Sequence, residues 1–69
     1  MLTFNHTGAI GDLLFSLYFC TEYAKKLNEP KFNINIQPTG TFTSKDAQYI
    51  QPLLQSQEYI NNVTIGNDV

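Results

Sequence analysis

A chain of 69 residues holds one domain at most, and so small a domain buries only about 60% of its unfolded surface, so we expect support from an oligomer or from a missing remainder of the protein. Four lysines, six acidic residues and no arginine give a net charge of −2, which argues against binding to nucleic acid or to an anionic membrane leaflet. With a single cysteine the chain cannot form an internal disulfide, and its single histidine and cysteine do not have the spacing of metal ligands. The N-terminus lacks the basic segment of a signal peptide. The sequence therefore predicts a cytoplasmic protein without metal or cofactor.

The first half of the chain predicts a strand, a glycine-containing loop and a helix. Leu2–Asn5 is a short apolar strand, and His6–Gly11 is the loop. Asp12 stands at the N-cap or in the first turn of a helix that runs to about Leu27. Apolar residues at helical spacing predict one buried face of this helix. Three further apolar residues widen that face, which predicts burial of the helix on more than one side. The spaced residues are Leu13, Leu17, Cys20, Ala24 and Leu27, and the widening residues are Leu14, Phe15 and Tyr18.

The second half predicts another strand, a second helix and a third strand. Phe32–Ile36 alternates apolar and polar residues, which is typical of a strand with one buried face, and Pro38–Gly40 ends it. The second helix runs to about Gln57, and Pro52 marks either its start or a kink. The remaining expectations are a helix cap at Ser44 or Asp46, a third strand with its approach over Tyr59–Ile60 and Val63–Ile65, and a turn at Gly66–Val69.

The order of these elements predicts the fold class. Strands that alternate with helices pair in parallel and are joined by right-handed crossovers. The prediction is therefore an α/β fold, a three-stranded parallel β-α-β-α-β half of a Rossmann-like domain, occupying residues 1–69 as a single partial domain.

The loop before Asp12 is the candidate site. In a parallel α/β sheet, ligands bind beyond the C-terminal ends of the strands, and glycines there let the backbone approach a ligand. A helix N-terminus favours an anion, but Asp12 already puts a negative charge there. The carboxylate therefore either caps its own helix or is offered to a substrate hydroxyl. Thr39, Gly40 and Thr41 follow the second strand and border the same cleft, and His6 is either a structural residue or a ligand contact.

A dinucleotide site is the first alternative. Aligned to G-x-G-x-x-G, the loop presents His6, Gly8 and Gly11, so the first glycine is missing. The acidic residue expected at the end of the second strand is also missing. A phosphate-binding P-loop is excluded because no Gly-Lys-Ser/Thr follows.

The stretch HTGAIGDLLFSL, residues 6–17, resembles the N-terminal loop of GT-B-type glycosyltransferases, especially the heptosyltransferase-like family (glycosyltransferase family 9). Members typically open with a strand, a Gly-x-x-Gly-Asp-like turn and an apolar helix. The later stretch PLLQSQEYINNVTI, residues 52–65, is similar to the segment before the family's third strand. The resemblance covers about residues 2–65, and only the first part of the family's N-terminal domain.

This resemblance implies an acceptor-binding segment that is inactive alone. In the family the N-terminal domain handles the glycan or lipid-linked acceptor, and the C-terminal domain binds the nucleotide-sugar donor, so the donor site would lie on an absent domain. The proposed general base falls on Asp12. The family's loop is often more basic, whereas no Lys or Arg precedes Lys25 here. The substrate-binding candidates are His6, Thr7, Gly8, Gly11, Thr39 and Gly40.

Two other function classes stay open at this point. One is a noncatalytic small α/β binding or oligomerisation module, which would dimerise over its exposed sheet. The other is a nucleotide-binding Rossmann-like domain, which would bind a dinucleotide by itself. A homo-oligomer fits either class, and peripheral membrane association is expected only through the missing part of the protein.

Overall fold

Three parallel strands and two helices alternate along the chain. The computed structural model describes residues 1–66. The three strands form one parallel sheet in the order β1-β2-β3, which confirms the α/β prediction and the Rossmann-like half-fold. The elements are β1 (Leu2–Thr7), α1 (Ile10–Lys26), β2 (Phe32–Gln37), α2 (Ser44–Gln55) and β3 (Ile60–Ile65).

Both helices cover the same face of the sheet. Because the strands follow one another in sequence order, two crossovers of the same hand return on one side. The buried side chains accordingly form a single cluster between the sheet and the helices. β2 is the central strand and contributes three of them. The cluster contains Leu13, Leu17, Cys20, Ala24, Phe32, Ile34, Ile36, Phe42, Ala47, Ile50, Leu54, Ile60 and Val63.

The opposite face of the sheet is polar and uncharged. Asn35 donates to Asn5 Oδ1 at 3.1 Å and accepts from Thr64 Oγ1 at 2.9 Å, so one row of hydrogen bonds crosses all three strands. A second row joins Asn61, Asn33 and Thr3. This face is what the alternation of Phe32–Ile36 predicts, because every second residue of a strand points to the same side.

The first strand and helix are both longer at the loop than predicted. His6 and Thr7 lie opposite Ile36 and Gln37 in the parallel ladder, so they belong to β1 and not to the loop. Helix α1 begins at Ile10. The predicted loop His6–Gly11 therefore shrinks to a turn of two residues, and Gly11 is helical.

The N-cap of α2 lies one residue before the predicted Ser44 and three residues before the predicted Asp46. Thr43 is the N-cap, and its Oγ1 accepts from the Asp46 backbone N–H at 3.3 Å. The Asp46 carboxylate accepts in return from the Thr43 backbone N–H at 3.2 Å. This reciprocal capping box makes the Ser44 prediction wrong and gives Asp46 the partner role.

The second half otherwise follows the prediction with small shifts. Pro52 lies inside α2, which ends at Gln55 and not at Gln57. The third strand is continuous over Ile60–Ile65. Of the turn predicted at Gly66–Val69, residues 67–69 lie outside the described residues.

The outer side of α1 is exposed, which corrects the prediction of a helix buried on more than one side. Leu27, predicted on the buried face itself, is the C-cap just after α1 and is 48% exposed. Leu14, Phe15 and Tyr18, predicted to widen that face, are on the outer side and are 52, 71 and 64% exposed. With both helices on one face of the sheet, α2 does not cover this side of α1. The helix therefore presents a large apolar surface to solvent.

Candidate functional site

The turn between β1 and α1 is built on Gly8. Its φ of +130° is a conformation that residues with a side chain rarely adopt. A Cβ added there would lie 3.5 Å from Asp12 Oδ2 and 3.9 Å from His6 Nε2. The turn therefore brings the carboxylate and the imidazole to the same glycine, at the C-terminal edge of the sheet where α/β folds bind ligands.

The carboxylate of Asp12 is free. Asp12 lies in the first turn of α1, and the N-cap, Ala9, has no side chain that could cap the helix. Within residues 1–66, Asp12 is exposed and makes no hydrogen bond or ion pair. The positive end of the helix dipole suits a negative charge at this position. The structure thus presents an unengaged acid at the bend.

His6 has a structural contact of its own. Its side chain points to the helix-covered face, as Phe4 does, and is partly buried. His6 Nε2 lies 3.3 Å from the carbonyl oxygen of Ala9, so the tautomer with a proton on Nε2 donates across the turn. This contact holds the ring beside Gly8.

Thr7 and Gly11 do not belong to the group formed by His6, Gly8 and Asp12. Thr7 ends β1 with its side chain on the exposed polar face of the sheet. Gly11 lies in the first turn of α1, and nothing stands within 4 Å of a Cβ added there. Gly11 is therefore not required for close packing or for a special backbone conformation.

Thr39 and Gly40 lie in the loop after β2, at the same edge of the sheet. Thr39 Oγ1 accepts from the Phe42 backbone N–H at 3.1 Å, and the Thr39 N–H donates to the Phe42 carbonyl oxygen at 2.8 Å. The Thr39 hydroxyl is also 3.3 Å from that of Thr41. Thr39 thus holds the loop in shape, whereas Gly40 is exposed with open space around it.

A groove of about 450 Å³ opens next to the bend, between the start of α1 and α2. Asp12, Thr39 and Gly40 are not among its lining residues, so the free acid stands outside the groove. Thr41, which the sequence places at the cleft, lines this groove. The other lining side chains were not predicted as site residues, although the apolar Phe42 within a polar loop was a signal. The lining residues are Ile10, Thr41, Phe42, Asp46, Tyr49, Ile50 and Leu53.

Other kinds of site find little support in residues 1–66. No group of three or more His, Cys, Asp and Glu side chains is placed to hold a metal there. No helix in that range is long and apolar enough to cross a membrane. Burial raises the pKa of the Cys20 thiol, which makes it a poor nucleophile and fits a core residue.

Neither a family model, nor a curated protein, nor a solved structure matches this chain. A function must therefore be argued from the geometry of the bend. Its three neighbouring groups are the imidazole of His6, the open backbone at Gly8 and the carboxylate of Asp12.

Proposed function

We propose that this chain is the acceptor-binding N-terminal segment of a GT-B-type glycosyltransferase, with Asp12 as the general base. The supporting observation is the exposed carboxylate of Asp12 beside Gly8, beyond the C-terminal end of β1; this carboxylate has no partner among residues 1–66. A nucleotide-sugar donor would bind to a further domain. On this proposal the isolated chain binds an acceptor and does not transfer sugar.

The proposed chemistry needs one free base within reach of an acceptor hydroxyl. The hydroxyl oxygen forms a bond to the anomeric carbon of the donor, while the bond from that carbon to the phosphate oxygen of the nucleotide breaks. The hydroxyl proton passes to the Asp12 carboxylate, a transfer that contributes roughly 10²–10⁴ in rate. Gly8 supports this role because the lack of a side chain leaves space beside the carboxylate for the acceptor.

A nucleotide-binding domain is the weaker alternative. A phosphate bound at the start of α1 would meet the Asp12 carboxylate, and like charges in close contact repel. No lysine or arginine occurs before Lys25 to offset that charge. A neutral sugar hydroxyl, by contrast, donates a hydrogen bond to a carboxylate, and bonds to charged groups are the stronger ones.

The test is a titration of the ¹⁵N-labelled chain, followed by amide chemical shifts. Methyl glycosides of glucose, galactose and mannose serve as acceptor probes, and UDP-glucose serves as the donor probe. We expect at least one methyl glycoside to shift the amides of Gly8 and Gly11 with a Kd on the order of 1 mM, about −4 kcal/mol. We expect UDP-glucose to leave these amides unchanged.

Asp12→Asn should weaken that binding about 10-fold or more, because it replaces a charged acceptor by a neutral one. The control is Glu58→Gln, which removes an exposed acid before β3, at the opposite edge of the sheet. The proposal is contradicted if no methyl glycoside shifts these amides or if Asp12→Asn binds as well as the unchanged chain. Transfer of glucose from UDP-glucose by the chain alone would also contradict it.

A further inference from the structure

The exposed side of α1 has a symmetric arrangement about Phe19. Phe15 and Tyr23 lie four residues before and after it, and Asp12 and Lys26 lie seven residues before and after it. Spacings of three and four keep all five on one side of a helix. We call these five residues the α1 stripe. It has aromatic rings in the middle, an acid at one end and a base at the other.

The aromatic part of the α1 stripe is not covered by any of the residues that the structure describes. Phe15, Phe19 and Tyr23 are 71, 56 and 52% exposed. The rings of Phe15 and Phe19 contact each other edge to face, with centroids 5.3 Å apart. Tyr23 makes a similar contact with Phe4 of β1, at 6.1 Å. Since β1 is an edge strand, the stripe continues onto an open edge of the sheet.

The charges at the two ends of the stripe are the unpaired ones. Helix α1 also carries Glu22 and Lys25, and these pair with each other at 3.4 Å. Within the described part of the chain, Asp12 and Lys26 make no ion pair or hydrogen bond. They are too far apart to pair, because fourteen residues of helix separate them by about 21 Å.

We propose that two copies of this chain associate through an antiparallel pairing of their α1 stripes. A two-fold axis at Phe19 places Phe15 of each copy against Tyr23 of the other, and Asp12 of each copy against Lys26 of the other. Such an interface is self-complementary, as two-fold symmetry requires. It covers the exposed rings and gives each free charge a partner of opposite sign.

The size of the stripe indicates a weak dimer. Each aromatic side chain offers about 150–250 Å², so the exposed parts of the three rings amount to roughly 350 Å² per copy. Both copies together bury roughly 700 Å² from these rings, and the flanking residues raise the total to about the lower limit for specific interfaces. An interface of this size is typical of weak, transient association, and its area alone does not set the Kd.

Asp12 takes part in both proposals, so the dimer and a bound sugar compete for its carboxylate. Sugar binding is therefore also read from the amide shifts of Phe19→Glu, which weakens the dimer and keeps every acceptor candidate, whereas dimerisation is read from mass. A failure of one proposal can therefore be told from a failure of the other.

Sedimentation equilibrium of the full 69-residue chain, from micromolar to millimolar concentration, is the first test. The unchanged chain should show a monomer–dimer equilibrium. Phe19→Glu puts two like charges on the axis and should weaken dimerisation about 100-fold or more. Tyr49→Glu is the matched control, because Tyr49 is a 78% exposed aromatic on α2, outside the stripe. It should leave the equilibrium unchanged, and circular dichroism checks that each variant is folded.

Charge reversal tests the antiparallel orientation. Asp12→Lys and Lys26→Asp should each raise the Kd of the dimer about 10-fold, because like charges then face each other. The variant with both substitutions should have a Kd within about 3-fold of the original, because opposite charges face each other again. A parallel dimer would respond differently, since each residue would face its own copy. Single reversals without effect, or a chain that stays monomeric at millimolar concentration, would overturn the proposal and assign the stripe to another partner.

Discussion

Substituting alanine at Gly8 and at Gly11 should change stability in opposite directions. At Gly8 the φ of +130° imposes a backbone conformation that costs a residue with a Cβ about 1–3 kcal/mol. The nearest atom to that Cβ is 3.5 Å away, an ordinary contact, so the cost comes from the backbone and not from crowding. At Gly11 the added Cβ meets open space within a helix, and alanine there gains up to about 1 kcal/mol.

Urea unfolding followed by circular dichroism measures both changes. With a slope of about 1 kcal/mol per molar urea for a small domain, Gly8→Ala should lower the midpoint by about 1–3 M, and Gly11→Ala should raise it by up to about 1 M. Protein concentration must be the same in all samples, since a dimer makes stability concentration-dependent. A Gly8→Ala midpoint within about 0.3 M of the unchanged chain would refute the strained turn, and a lowered Gly11→Ala midpoint would refute the early start of α1.

Two further predictions concern the core. Leu54→Ala should lower the free energy of unfolding by about 2–5 kcal/mol, because Leu54 is only 3% exposed. Leu53→Ala should change it by less than about 0.5 kcal/mol, because Leu53 is 62% exposed. Equal urea midpoints for the two variants would mean that the buried side of α2 is wrongly assigned. The Cys20 thiol should react with an aromatic disulfide at pH 8 at least about 10-fold more slowly in the folded chain than in urea, because the raised pKa leaves less thiolate and burial blocks access. Equal rates in the two states would contradict the burial of Cys20.

The parts of the fold that sequence could predict depend on local periodicity. The alternation in Phe32–Ile36 predicts both the central strand and its polar outer face. Helical spacing predicts the residues of α1 that pack on the sheet, since Leu13, Leu17, Cys20 and Ala24 are buried as expected. Neither pattern needs information from elsewhere in the chain.

The parts that sequence reasoning missed depend on contacts between distant segments. β1 extends to Thr7 because Gln37 continues the ladder beside it, which no pattern within residues 2–7 reveals. The widened apolar face of α1 predicts burial on more than one side, but burial depends on what else covers the helix, and α2 packs on β3. The α2 cap was missed because Thr43, Ser44 and Asp46 are all good capping residues, and only the geometry selects among them.

Some features of the candidate site could likewise be predicted from the sequence, and others could not. The placement of Asp12 after the first strand follows from the order of elements, and the structure leaves its carboxylate free. The position of the neighbouring groove does not follow from that order, because it depends on where Phe42 and Ile10 lie relative to α2. The role of Thr39 could not be predicted from its residue type, because its hydroxyl accepts a hydrogen bond from the Phe42 N–H within its own loop.

A crystal structure of this chain soaked with the methyl glycoside that binds best is the most direct test of the role given to Asp12. We expect a sugar hydroxyl within about 3.2 Å of an Asp12 carboxylate oxygen, with the ring over Gly8. A sugar bound elsewhere, or an Asp12 carboxylate turned back to accept from the first N–H groups of α1, would contradict it.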